Sequence, residues 1–196
     1  MTRFRGILAV AGLALGVTPV AAQYRGVIVR ALGGGYSHTL NLNADEPYAH
    51  FKVGFALEGG LGVQLNKYLA VQGDFTFGQT KGLGDVDFIG DRVNRYYLAG
   101  RVDLRYPLST SFVPYVFGGV GRVWVDQQGF ENEENFQHFN RFAGIFGAGL
   151  SFEIPQTRLS VLAEGKGLAY RWVAAPFDRN QLDFTYSMGL AYRFGF

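Results

Sequence analysis

The chain has 196 residues, of which 28 are Gly, 16% are aromatic and only 17% are charged, yet its mean hydropathy is just +0.05. Gly stands at about twice its ordinary share of roughly 7%, and charge falls below the usual figure of about 25%. A disordered chain needs few aromatics and a high net charge, and a helical membrane protein needs stretches near 20 apolar residues. The sequence fits neither, since no such stretch exists beyond its N-terminus.

The first 22 residues read as an export signal. Arg3 and Arg5 precede an apolar run, Gly6 to Val17, and Thr18-Pro19 leads to the small-residue site Val20-Ala21-Ala22. A charged region, a short apolar region and small residues at the cut make a secretory signal peptide, with cleavage expected before Gln23. The run is too short to be a spanning helix. The formal net charge of +2 comes from 18 basic and 16 acidic residues. Removing residues 1–22 takes away Arg3 and Arg5 and no acid, so 16 basic residues then face 16 acidic ones. Cys is absent, so an exported fold must close without disulfides, and thiol catalysis and Cys-ligated metals are excluded.

From residue 23 onward the chain alternates with period two, the signature of strands with unlike faces. Eight segments are predicted, at roughly 24–40, 49–65, 68–79, 93–106, 112–126, 140–154, 158–172 and 182–196. The first is blurred by Gly33-Gly34-Gly35, which leaves Arg30 and His38 unassigned to a face. In the second, Phe51, Val53, Phe55 and Leu57 oppose Lys52, Gly54, Ala56 and Glu58. The eighth is clearest, with Leu182, Phe184, Tyr186, Met188, Leu190, Tyr192, Phe194 and Phe196 against Asp183, Thr185, Ser187, Gly189, Ala191, Arg193 and Gly195. Connectors alternate too. Asn66-Lys67, Pro107–Ser111 and Pro155–Thr157 are short, whereas 41–49, 80–92, 127–139 and 173–181 are longer and polar. Short turns at one end and long loops at the other describe an all-β, eight-stranded up-and-down antiparallel barrel, a single domain over residues 23–196.

Volume decides which face points inward. An eight-stranded barrel has an interior just wide enough for its own side chains, and Phe, Tyr and Leu are too bulky to converge on so narrow an axis. The Gly, Ala and Ser face, with its scattered charges, fits. The aromatics then face lipid, with Tyr68, Tyr106, Tyr192 and Phe196 forming one interfacial girdle and Phe51, Tyr96 and Phe184 the other. A closed barrel also satisfies every backbone group in lipid.

The C-terminal Tyr192-Arg193-Phe194-Gly195-Phe196, with Leu190 and Met188 ahead of it, resembles the terminal strand of bacterial outer-membrane β-barrels. With the export signal and the hairpin-linked strands, the resemblance covers the whole chain and is to small eight-stranded barrels of the OmpA transmembrane-domain, OmpX and OmpW sort. It implies residence in the outer membrane. It also implies recognition of Met188, Leu190, Tyr192, Phe194 and Phe196 by the β-barrel assembly machinery, contact with outer-membrane lipids and lipopolysaccharide, and a monomeric state.

Alternation places Lys52, Glu58, Asp74, Arg101, Asp103, Arg105, Glu164, Lys166 and Arg193 in the lumen. Charges taken out of water must be paired, so Asp74 and Arg101 in particular are expected to contribute to an ion-pair plug; a narrow gated channel is the alternative. The long loops are a second candidate, for surface recognition. The segment Asp126–Phe136 is acidic and carries Phe130 and Phe136, and Asp85, Asp87 and Asp91 lie in the loop before, where carboxylates could hold divalent cations. Arg92, Arg95, Arg141 and Arg171 are candidates for contacts to lipid phosphate. A pocket for a small apolar ligand would draw on Leu162, Leu168 or Trp124 facing inward.

Enzyme chemistry finds little support. Ser37 and His38 are neighbours on a strand and point to opposite faces. His138 lacks the Ser two residues on that lipid A deacylases carry. The strings Gly59-Gly60-Leu61-Gly62 and Gly118-Gly119-Val120-Gly121 lack the strand-then-helix context of phosphate loops. No cofactor, metal centre or basic patch for nucleic acid is expected, and a soluble lipocalin-like carrier is the remaining alternative.

Overall fold

The computed structural model describes residues 25–38, 50–51, 53–80, 82–83, 92–128, 139–174 and 177–195. Its strands are β1 (Gly26–His38), β2 (His50–Phe51), β3 (Gly54–Gln64), β4 (Leu69–Thr80), β5 (Gly82–Leu83), β6 (Arg92–Arg105), β7 (Phe112–Gln128), β8 (Phe139–Glu153), β9 (Leu159–Ala174) and β10 (Phe177–Gly195). Eight of them close into an antiparallel barrel in the order β1-β10-β9-β8-β7-β6-β4-β3. Neighbours in sequence are neighbours in space, and β1 closes the ring by pairing with both β3 (Val27↔Val63) and β10 (Val27↔Phe194). This is the expected up-and-down architecture.

Two departures from the sequence reading concern the long-loop end. The predicted strand 49–65 is divided: β3 begins only at Gly54, while His50–Phe51 pairs with Gly82–Leu83 in a separate two-stranded ladder. The predicted loop 173–181 is mostly strand. The β9–β10 ladder runs on to Phe177↔Ala174, leaving only residues 175–176 between the two strands. Polar composition marked that stretch as loop, but a hairpin in register carries its ladder past the apolar pattern that starts it.

The faces divide as volume demands. Leu57, Leu61, Leu98, Val102, Val116, Val120, Phe146, Leu150, Met188 and Leu190 are exposed on the outside, a large apolar surface of the kind a membrane barrel turns to lipid. Aromatics ring it at both ends. Phe55, Phe77 and Tyr96 contact one another in sequence around the long-loop end, with centroids 5.7 and 5.2 Å apart, and Trp124 is paired to Tyr96. Tyr68, Tyr106, Phe112, Phe152, Tyr192 and Phe194 are exposed at the other end, while Phe196 lies outside the described residues. Tyr96 and Tyr106 sit ten residues apart on the β6 side, a span of about 25 Å for a tilted strand, the height of a bilayer's apolar band.

Inside, glycine makes room for aromatic rings. Gly147 and Gly149 stand on the inner face of β8, and a Cβ on Gly149 would lie 2.5 Å from the Tyr115 ring; one on Gly147 would strike Phe117. Those rings cross from β7 over bare backbone and are buried.

The short turns are held locally. Asn66 accepts a hydrogen bond from Tyr68 N at 2.8 Å, and Ser109 Oγ accepts from Phe112 N at 3.0 Å. In the third, Thr157 N donates to Ile154 O at 3.1 Å across Pro155-Gln156, and Gln156 has φ of 63°. A turn with Pro first and a left-handed second residue favours Gly there. Gln156→Gly is therefore expected to raise stability by about 1 kcal/mol, read as a higher denaturant midpoint in detergent micelles.

Candidate functional site in the charged lumen

The inner faces of the strands bring charged side chains together in three layers. The central layer is built around Glu58, Asp74, Asp103 and Glu164 with Arg30, Arg101 and Lys166, all buried. Lys166 Nζ donates to Asp74 at 2.7 Å, to Thr76 Oγ1 at 2.9 Å and to Glu58. Arg30 spans two carboxylates, Asp74 at 2.7 Å and Glu164. Arg101 forks onto both oxygens of Glu164 at 2.8 and 3.0 Å, and its Nε lies 2.8 Å from Asp103. Asp74 and Arg101 are 3.8 Å apart. Neutral donors complete the carboxylates: Tyr115 OH to Glu164 at 2.9 Å, Thr185 and Ser187 to Glu58, and Gln72 to Asp103. The guanidinium of Arg101 also lies 4.0 Å above the Phe117 ring. Each barrel strand except β8 sends a polar side chain into this layer, and β8 supplies the glycines under Tyr115 and Phe117.

The second layer lies toward the long loops. Asp183 accepts hydrogen bonds from Tyr170 OH at 2.8 Å, from Tyr36 OH and from Gln181, and it faces His38 Nδ1. Arg95 Nε stands 3.7 Å from Asp183 and 3.3 Å from Tyr170 OH, and Arg95 Nη1 reaches Thr80 Oγ1 at 3.2 Å. Tyr97, Val123 and Leu168 separate this layer from the central one, around a cavity of only about 10 Å³. The third layer, at the short-turn end, is more open: Glu153 pairs with Arg105 at 3.3 Å and Arg193 at 3.5 Å.

Of the residues assigned to the lumen by alternation, six meet in the central layer and Arg105 and Arg193 stand in the third; Lys52 lies outside the described residues. Arg30, His38 and Asp183 join them, although sequence reasoning left the first two unassigned and omitted the third. The register supplies what was missing. Ile28, Arg30, Leu32 and Tyr36 share one buried parity on β1, and Asp183 belongs to the small-residue face of β10.

Arg95 requires a correction. Expected at the lipid headgroups, it is 2% exposed and belongs to the second layer, because it shares parity with Tyr97, Ala99 and Arg101 and so points into the barrel. Trp124, offered as an inward residue, instead faces out, 38% exposed; Leu162 and Leu168 are buried inside. Arg141 is exposed and bonds the Asn140 carbonyl at 2.9 Å. Arg171 is exposed on the outer parity of β9, and the side chain of Arg92 lies outside the described residues. The composition reading also missed Arg122, which is exposed on the outside of β7 with its guanidinium 5.1 Å from the Phe142 ring.

The acidic loop segments around Asp85, Asp87, Asp91 and Glu131–Phe136 lie outside the described residues. Among the described residues no group of His, Asp and Glu has the arrangement of a metal site. The His38 Nδ1–Asp183 contact is of the kind that orients a general base in hydrolytic triads, but the described hydroxyls around it are already engaged. Tyr36 and Tyr170 donate to Asp183, Thr80 accepts from Arg95, and Ser37 has the opposite parity. A network of this kind is costly to break in one place, because the surviving charges stay buried. Asp74→Ala is expected to destabilise the barrel by about 3–5 kcal/mol in urea unfolding from lipid vesicles. Arg193→Gln, at a partly exposed pair, should cost less than about 1 kcal/mol.

Comparison with known proteins agrees with this architecture. Among solved structures, the chain is similar to Neisserial surface protein A (14% identity, 86% of this chain and 97% of that one, TM-score 0.69). It is also similar to the N-terminal β-barrel domain of Pseudomonas aeruginosa OprF (14% identity, 87% and 98%, TM-score 0.53) and to Pseudomonas aeruginosa OprG (13% identity, 87% and 97%, TM-score 0.53). At such identities the likeness is one of fold. No curated protein matches the sequence. The family model for the outer membrane protein β-barrel domain matches residues 7–195, and the chain belongs to that outer-membrane family.

Proposed function

We propose that this barrel serves the outer membrane as a structural and surface-presenting protein, with a lumen closed to solutes and function carried by its long-loop end. The observation that carries the reading is the central layer, where four carboxylates and three cations from five strands are mutually bonded and buried. A solute path would have to part these groups and leave charges unpaired in a space too narrow to hydrate them. Among the described residues, the cavity between the second and central layers, about 10 Å³, is far below the several hundred Å³ of a small-molecule pocket. That favours a closed lumen over carriage of an apolar ligand. In a planar bilayer the purified barrel should show no steady conductance; a stable open level would overturn the closed lumen.

Lipid is the partner best supported on the outside. Arg122 is paired with Phe142, and Arg171 follows Tyr170, whose partner Ala143 follows Phe142. The Arg122 guanidinium lies 5.1 Å from this ring, which is 76% exposed, and Arg171 is exposed on the same outer surface. Phosphate of the outer leaflet, including that of lipopolysaccharide, matches this pair in charge. Arg122→Ala with Arg171→Ala should lower lipopolysaccharide co-purification several-fold without loss of folding; unchanged lipid content would remove the contact. The alternating outward residues Met188, Leu190, Tyr192 and Phe194 on the closing strand β10 are the features we assign to recognition by the β-barrel assembly machinery. Cleavage after Ala22 and a monomeric state complete the reading.

A further inference from the structure

The short-turn end of the lumen carries more positive charge than its carboxylates balance. A cavity of about 30 Å³ lies there, walled by Arg30, Arg101, Arg105 and Arg193 against Asp103 and Glu153. Side-chain exposure falls steadily inward, from 27% at Arg193 and 22% at Glu153 to 10% at Arg105 and 1% at Arg30. The cavity is therefore entered from the short-turn side, the periplasmic side in this family's orientation, and it ends against the central layer.

Six polar atoms of its lining residues have no hydrogen-bond partner among the described residues; Arg101 Nε and Asp103 Oδ1 face each other as an ion pair at 2.8 Å, which leaves four, Arg30 Nε, Arg105 Nε, Ser151 Oγ and Gln72 Oε1. Three of the four can donate. Ser151 is 1% exposed, Arg30 3% and Gln72 4%, so bulk solvent does not serve them. Buried polar groups are almost always satisfied by protein, ordered water or an ion. A cavity of this size has room for about two waters, or for one halide-sized ion with a water beside it. Charge separates the two occupants. The guanidinium forks of Arg30 and Arg101 are turned to Asp74 and Glu164, but Arg105 and Arg193 share the single carboxylate Glu153. Three donors on a wall with surplus positive charge select an anion over water alone.

We propose that this vestibule binds a small monovalent anion of halide size, admitted from the periplasmic side and held by Arg30 Nε, Arg105 Nε and Ser151 Oγ. The site rests on the closed-lumen reading in one respect, that Arg101 and Glu164 form its inner wall.

The folded barrel in micelles is titrated with chloride and followed by chloride NMR line broadening, and crystals grown in bromide are examined by anomalous scattering. The expected result is saturable broadening and a bromide peak between Arg105 and Ser151. Arg105→Gln should weaken binding about tenfold and Glu153→Gln should tighten it by a similar factor. Shifts of opposite sign cannot arise from a folding defect common to both variants. Line widths that neither substitution changes, or a vestibule with no bromide peak, would overturn the site. A bromide signal continuing past Arg101 to the His38 layer would support the site and overturn the closed lumen instead.

Discussion

Eight strands enclose a lumen that leaves almost no room for water around the charges at its centre, and the rest of this structure follows from that constraint. Every charge on the inner face must find a partner across the barrel, and every large side chain must find bare backbone to lie against. The described inner face meets the first demand almost numerically. Arg30, Arg95, Arg101, Arg105, Lys166 and Arg193 stand against Glu58, Asp74, Asp103, Glu153, Glu164 and Asp183. It meets the second through glycine, as where Gly147 and Gly149 accept Phe117 and Tyr115.

The same constraint shapes how the barrel is held together. Hydrogen bonds from β1, β3, β4, β6, β7, β9 and β10 meet around a few carboxylates, so the central layer ties distant strands as well as adjacent ones. Lys166 on β9 joins Glu58 on β3 and Asp74 on β4, residues about a hundred positions away in sequence. Such a layer adds little net stability over an apolar filling but is severe toward any single loss. It therefore favours one arrangement of the strands over alternatives slipped in register, since a slip by one residue would send each of these charges to the lipid face. Among the described residues the balance of charge loosens at the short-turn end, where the side chains become partly exposed.

Much of this was legible in the sequence, and the exceptions have physical causes. Period-two alternation located the eight barrel strands and sorted Glu58, Asp74, Arg101 and Lys166 from the lipid-facing residues beside them. It failed at Gly33-Gly34-Gly35, where residues without side chains carry no facial signal, so Arg30 and His38 could not be placed although both sit in the lumen. It fails at Arg95, whose place near a rim suggests lipid headgroups while its parity with Tyr97 and Arg101 turns it inward. The β9–β10 hairpin is longer than alternation indicates because Pro176 and the polar run Asp178–Gln181 interrupt the pattern while the ladder continues to Phe177↔Ala174.

The amino-acid sequence by itself determined the class of fold, the strand count, the direction of the two faces and the sign of most inward charges. All of these depend on residue size and on the fixed alternation of a β-strand. The tertiary structure alone decided which charge meets which. Several partners in the central layer, such as Arg30 with Glu164 and Lys166 with Glu58, lie on strands that are not paired, and their depth is set by barrel stagger, which a linear pattern does not encode. Closure thus turned a list of isolated charges into three layers, one of them partly open at the short-turn end.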